Sequence, residues 1–132
     1  MALETVTVDQ QIATTADRVW ERISTPEGIA KWWAPGNIQP VLGHEFTLDM
    51  NKWGHQPCKI IAVEPLRKLA YTFGNWELHW TITPDEGGCM LRLEHRGFDL
   101  SKDQDRFAFE NMGNGWKSFV LPRLASTLVE AA

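Results

Sequence analysis

The chain has 132 residues and a net charge of −4, with 13 Lys and Arg against 17 Asp and Glu. That length suits one domain, 1–132, large enough to bury a sizeable core. The only Lys/Arg pair of neighbours is Arg67-Lys68, so neither the basic stripe of a nucleic-acid binder nor an attraction to anionic membranes is expected.

No apolar run approaches the ~18 residues of a membrane-spanning helix. The first residues, Met1-Ala2-Leu3-Glu4-Thr5-Val6, have neither the basic nor the apolar region of a signal peptide, so a cytoplasmic chain is expected. Cys58 and Cys89 fall in different predicted strands, and a disulfide in a reducing compartment is not expected. They are too few for a zinc site, and no His-x-x-x-His spacing occurs, so neither metal nor cofactor is predicted. Seven tryptophans imply either a bulky core or a pocket lined with rings.

Residues 3–13 alternate, with Val6, Val8 and Ile12 on one face and Thr5, Thr7 and Asp9 on the other, which predicts a strand. Gln10 lies on the apolar face and needs a partner there. Thr14 or Thr15 can cap a helix carrying Val19, Trp20 and Ile23 on one side. Thr25 precedes Pro26, so this helix ends near Ser24. Pro26 then starts a second short helix capped by Thr25, with Ile29, Trp32 and Trp33 on its apolar side. Pro35-Gly36 stops it.

Five strands follow. His44–Met50 has Phe46, Leu48 and Met50 on one face. Asn51–Gln56 reads as a polar turn carrying an exposed Trp53. Pro57–Glu64 is the next strand, then Leu69, Tyr71 and Phe73 alternate up to a Gly74-Asn75 hairpin turn. Trp76, Leu78, Trp80 and Ile82 face inward, opposite Glu77, His79, Thr81 and Thr83. Leu91, Leu93 and His95 point inward from the last strand. The run is an antiparallel meander with one wet face. Asp99–Asp105 reads as a polar loop, Arg106–Met112 as a helical turn or two, and Gly113-Asn114-Gly115 as a loosened stretch. From Trp116, the positions Phe119, Val120, Leu124 and Leu128 recur at helical spacing to about Glu130. Pro122 kinks this helix if it begins before about residue 118, and costs little if it begins near Phe119.

The strand, the helix Ala16–Ser24, Thr25-Pro26-Glu27, Lys31-Trp32-Trp33-Ala34-Pro35-Gly36 and the later Gly115-Trp116 together resemble the AHSA1-like (activator of Hsp90 ATPase homologue, C-terminal-like) proteins. These belong to the START/Bet v 1-like, or SRPBCC, superfamily. The resemblance spans essentially the whole chain. It implies an α+β helix-grip fold: a curved antiparallel sheet wrapped around a long C-terminal helix, with two short helices after the first strand and an internal cavity. Two departures stand out: Pro122, where such helices more often run unbroken, and Ser118-Phe119-Val120, where an acidic residue would often follow Trp116. The eukaryotic co-chaperone carries a further N-terminal domain for which this chain is expected to have no room.

Members of such a family are mostly presumed binders of small hydrophobic molecules, and stress-related roles are associated with it. The function expected is binding or transport of a small hydrophobic, aromatic or lipid-like molecule between sheet and last helix. Phe46, Leu48, Tyr71, Phe73, Trp76, Leu78, Trp80, Leu93 and His95 would line the cavity from the sheet, and Trp116, Phe119 and Val120 from the helix. The competing expectation is that these rings simply fill the space. No nucleophile elbow, inward carboxylate pair or phosphate cradle occurs, which favours a binder over an enzyme. A cyclase or hydratase would rely on His95 or Tyr71 as acid–base, with Gln10 and Tyr71 as candidate inward partners for His95. His79 is expected in a solvated cross-strand pair. A protein-interaction module would use Trp53 or the Trp33-Ala34-Pro35 loop. A monomer or weak homodimer is expected.

Overall fold

A computed structural model of the chain describes residues 4–49, 54–74 and 76–130, apart from the side chains of Gly113, Asn114, Phe119, Val129 and Glu130. Met50 and Trp53, singled out above, lie outside the described residues. The elements in chain order are β1 (Glu4–Ile12), α1 (Ala16–Ser24), α2 (Pro26–Ala30), β2 (Glu45–Asp49), β3 (His55–Glu64), β4 (Lys68–Phe73), β5 (Trp76–Asp85), β6 (Gly88–Phe98), and a helical run made of α3 (Asp103–Gly115), a π turn (Trp116–Val120) and α4 (Leu121–Glu130).

The strands form one antiparallel sheet ordered β1-β6-β5-β4-β3-β2. β2 to β6 are joined in sequence, so local hairpins build most of it, and β1 adds to β6 from the far end of the chain order. The inward rows expected from alternation are present: Leu69, Tyr71 and Phe73 on β4, Leu78, Trp80 and Ile82 on β5, Leu91, Leu93 and His95 on β6, all buried. The β4–β5 turn places Gly74 at φ 61, a backbone region where a side chain is strained.

α1 ends where Thr25 turns extended (φ −123, ψ 154) ahead of Pro26. Thr25 then caps α2, its Oγ1 accepting from the Gly28 N–H at 3.0 Å while donating to the Glu21 carbonyl at 2.8 Å. α1 itself has Thr15 at its N-cap position without a side-chain cap bond. The two short helices pack closely: a Cβ on Gly28 would stand 2.1 Å from the Glu21 carbonyl oxygen. The free carbonyl of Arg22, near the end of α1, accepts from the Trp32 indole N–H at 2.7 Å, so one unsatisfied helix-end group is met by a core ring.

The last helix departs most from the expectation. It starts at Asp103, not near Trp116, and Gly113 to Gly115 continue it; Gly115 has ordinary helical angles (φ −61, ψ −45). Asp103 and Asp105 stand in the first turn, where the helix dipole favours them. Pro122 therefore sits well inside a helical run. Its missing N–H cannot reach the Ser118 carbonyl, four residues back. The chain accommodates it by widening into the π turn just before it, where the Leu121 N–H bonds the Trp116 carbonyl, five residues back.

Candidate functional site

Two neighbouring regions carry the aromatic rings. The first is the interior of the grip. Trp32 packs edge-on against Trp80 with ring centroids 5.6 Å apart, and Trp80 against Trp116 at 5.8 Å. Trp33 contacts both Trp116, at 5.0 Å, and Phe73, at 5.4 Å. Phe46 meets Tyr71 at 5.2 Å. The Lys31-Trp32-Trp33 segment thus sends its rings into the space between sheet and last helix. Phe46, Leu48, Tyr71, Leu78, Trp80, Leu93, His95 and Trp116, expected to line a cavity, are all buried in this packed core. The reason is steric: two indoles from the α2 end occupy the volume that the sheet's curvature opens. Val120 is half-buried against the core, and the Phe119 side chain lies outside the described residues.

The second region is an open pocket of about 480 Å³ at one end of the grip. Its sheet side is Gln56, Phe73 and Trp76, around the β4–β5 turn. Its helix side consists of two ridges of α3 at four-residue spacing: Gln104, Ala108 and Met112, then Phe107, Asn111 and Gly115. Of the positions expected to line a cavity, Phe73 and Trp76 do so. The α3 residues were missed because the helix was expected to start later; once it is extended back to Asp103, their spacing is readable. Phe107 is two-thirds exposed, an uncommon setting for a large ring. Among the described residues no charged side chain lines the wall. Asn111 Nδ2 donates to the Phe107 carbonyl at 2.7 Å, which fixes that amide's orientation.

His95 stands between the two regions. It is fully buried, and its ring contacts Phe73 at 6.2 Å, Trp76 at 5.2 Å, Phe98 at 4.5 Å and Trp116 at 6.2 Å. Its Nδ1 is 3.1 Å from the Trp116 indole nitrogen. An indole N–H can only donate, so Nδ1 accepts and the imidazole proton is on Nε2. Burial holds the imidazole neutral, with a pKa of about 3 against an ordinary 6.5. Nε2 has no hydrogen-bond partner among the described residues, and neither has the buried Nε1 of Trp76.

The partners expected for His95 are elsewhere. Gln10 is half-buried and donates to the Gln11 carbonyl at 3.0 Å. The Tyr71 hydroxyl accepts from the Trp80 indole at 3.1 Å, and burial raises its pKa. On the outer face, His79 is buried at 8% exposure rather than solvated, with Nε2 2.8 Å from Glu77 Oε1. Residues Ala70 and Glu94, paired with it across the sheet, flank it on both sides. Glu94 ion-pairs Arg96, and Asp9 holds Arg92 in a two-pronged pair at 2.8 and 3.1 Å, so the carboxylates face outward. Cys58 and Cys89 are free buried thiols, and burial pushes Cys58 up to about 12. Among the described residues no group of three His, Cys, Asp or Glu side chains could hold a metal, and no helix is long and apolar enough to cross a membrane.

Solved structures share this fold along the full chain. A protein of Mesorhizobium loti is 28% identical with a TM-score of 0.87, covering 98% of this chain and 99% of that one. A Bacillus halodurans protein is 25% identical with a TM-score of 0.83, over 96% and 98%. The AHSA1-like protein from Aeromonas hydrophila, 16% identical, has a TM-score of 0.72 over 97% and 94%. Among curated proteins none matches the chain. The six-stranded antiparallel sheet and long C-terminal helix are the helix-grip architecture of the SRPBCC superfamily. The family model of the activator of Hsp90 ATPase homolog 1-like proteins matches residues 13–129, and the chain belongs to that family.

Proposed function

We propose that the chain binds a small, largely apolar molecule, aromatic or lipid-like, in the pocket between the β4–β5 turn and α3. The observation that carries this reading is the pocket itself: about 480 Å³, walled by Phe73, Trp76, Phe107, Ala108 and Met112, with the uncharged amides of Gln56, Gln104 and Asn111 among them. Apolar walls with a few placed polar groups are the usual form of a small-molecule site. The exposed ring of Phe107 has a role in this reading, as a face that a ligand covers. Proton-transfer chemistry is less well supported, because a general acid or base works best with a pKa near the operating pH. Burial moves His95 and Tyr71 away from that range in opposite directions. The free thiols fit a reducing, cytoplasmic setting, and the acidic balance fits a partner other than nucleic acid.

Titration with the neutral fluorophore N-phenyl-1-naphthylamine tests the reading. A saturable 1:1 signal that disappears in Ala108→Trp, a substitution aimed into the pocket, is expected. A signal that fails to saturate, or that survives Ala108→Trp unchanged, would overturn it.

A further inference from the structure

The wall of the pocket is made of different material from the core beside it. Leu, Ile and Val make up most of the chain's buried apolar side chains, yet among the described residues none of them lines the pocket. What lines it instead is flat or small. Phe73, Trp76 and Phe107 bring rings, and Gln56, Gln104 and Asn111 bring planar amides. Met112 adds a thioether, and Ala108 and Gly115 bring almost no side chain.

The three rings are not equally available. Phe73 is buried and leans on Trp76, with centroids 6.4 Å apart and planes 32° from parallel. Trp76 is only half-buried, so indole surface is left on the side where it borders the pocket. Phe107, across the pocket on α3, is two-thirds exposed and meets no other ring among the described residues. Its neighbour Phe109, two residues on, packs against Phe98 at 5.5 Å. Trp76 and Phe107 thus border one space from opposite layers.

Such a wall distinguishes between apolar occupants. A ring that meets other rings offset or edge-on gains more than the area it buries, and a thioether adds a further attraction to it. An acyl chain draws on neither and gains from buried area alone, for which the absent Leu, Ile and Val would serve at least as well. The small residues favour the same flat occupant. Ala108 and Gly115 leave room beside the helix, and even a Cβ at Gly115 would meet no atom within 4 Å. A charged ligand would find no charged side chain among the described wall residues to balance it.

We propose that the pocket takes a neutral, planar aromatic ring system, held between the Trp76 indole and the Phe107 ring, rather than an acyl chain. This rests on the ligand-binding reading above and decides between its two ligand classes. Phe107 is then the specificity-determining residue: its ring is the one that lacks a ring partner until the ligand arrives.

The test is a matched pair of probes, 2-naphthalenemethanol and its decahydro counterpart, which share a carbon skeleton and a hydroxyl and differ in having flat or puckered rings. Affinity for the full chain is read by calorimetry. The saturated probe is the more apolar, so burial alone favours it. The naphthyl probe is nonetheless expected to bind about fivefold more tightly, within the range of one ring pair, and its protons should shift upfield in the ring currents of Trp76 and Phe107. Phe107→Leu keeps an apolar side chain at an exposed position, where little stability is at stake, and should cut the naphthyl advantage to about twofold or less. Ala108→Trp should remove binding of both probes. Equal or reversed affinities, or an advantage that persists unchanged in Phe107→Leu, overturn the aromatic assignment while leaving the pocket a site for apolar molecules. Binding that survives Ala108→Trp unchanged, or binding of neither probe up to its solubility limit, overturns both readings.

Discussion

The packed interior and the open end of the grip are built from the same kind of residue, yet one is solid and the other hollow. Trp80 and Trp76 are four residues apart on β5 and face the same way. Trp80 is sealed between Trp32 and Trp116. Trp76 touches Phe73, His95 and Phe98 but borders the pocket on its remaining side. The difference lies in what comes across from the other layer. Over Trp80 it is indoles delivered by the α2 end. Beyond Trp76 it is α3, which presents Ala108 and Gly115, too small to fill the gap. Ring content therefore does not distinguish core from site here; the size of the opposing residue does.

The sharpest way to break this comparison is to truncate each indole in turn. Trp80→Ala should cost about 3–5 kcal/mol in denaturant unfolding, as full burial of a large ring implies, and Trp76→Ala less than half of that. Equal losses would mean that the pocket side is packed after all.

Acid comes next in size. His95 is held neutral to about pH 3 in the folded chain, whereas the unfolded chain takes up its proton near 6.5. Below 6.5 the unfolded state therefore binds more protons, and stability falls by about 1.4 kcal/mol per pH unit until about pH 3. Above 6.5 this group contributes no pH dependence. The lowered carboxyls of Asp9, Asp17, Glu94 and Asp99 act in the same direction at lower pH, so the measurement is the difference between the parent chain and His95→Phe. The variant's stability should decline less steeply between pH 6 and 4; parallel curves would show that His95 titrates freely.

Smaller effects concern the hollow side. Ala108→Trp should change stability by no more than about 1 kcal/mol, because its surroundings are open, while removing probe binding. Gly115→Ala is the gentlest case. An added Cβ there meets no atom within 4 Å, so the helix should gain about 0.5–1 kcal/mol in thermal or chemical unfolding as the pocket narrows slightly.

Most of the sheet was legible in the sequence, because strict alternation in Leu69–Phe73, Trp76–Ile82 and Leu91–His95 marks the face that packs on the core. Thr25-Pro26 likewise marked the break between α1 and α2 through backbone sterics alone. The helical run was half legible. Asp103, Gly113 and Gly115 carry loop-like chemistry locally, yet all three lie in the helix, against what local propensity favours. The candidate site suffered for the same reason. Phe73 and Trp76 were readable from the strand pattern, but their α3 counterparts depended on a helix that local propensity did not announce. Nor could alternation reveal that Trp33 would fill the space expected to be empty.

The π turn has one more consequence, in the arithmetic of the helix face. At 3.6 residues per turn, Trp116 and Leu121 would point roughly 140° apart. Because the intervening turn is one residue wider, they stack on one side, and both are buried. The apolar spacing from Met112 onward thus reads four, five, three, four: Met112, Trp116, Leu121, Leu124, Leu128. Pro122, which looked like an interruption, marks a phase shifter between two independently aimed half-helices. The forward half carries the helix side of the pocket, while the rear half keeps its leucines on the core. Tolerance to substitution should accordingly divide at Trp116, permissive ahead of it on the pocket side and strict behind it at Leu121, Leu124 and Leu128.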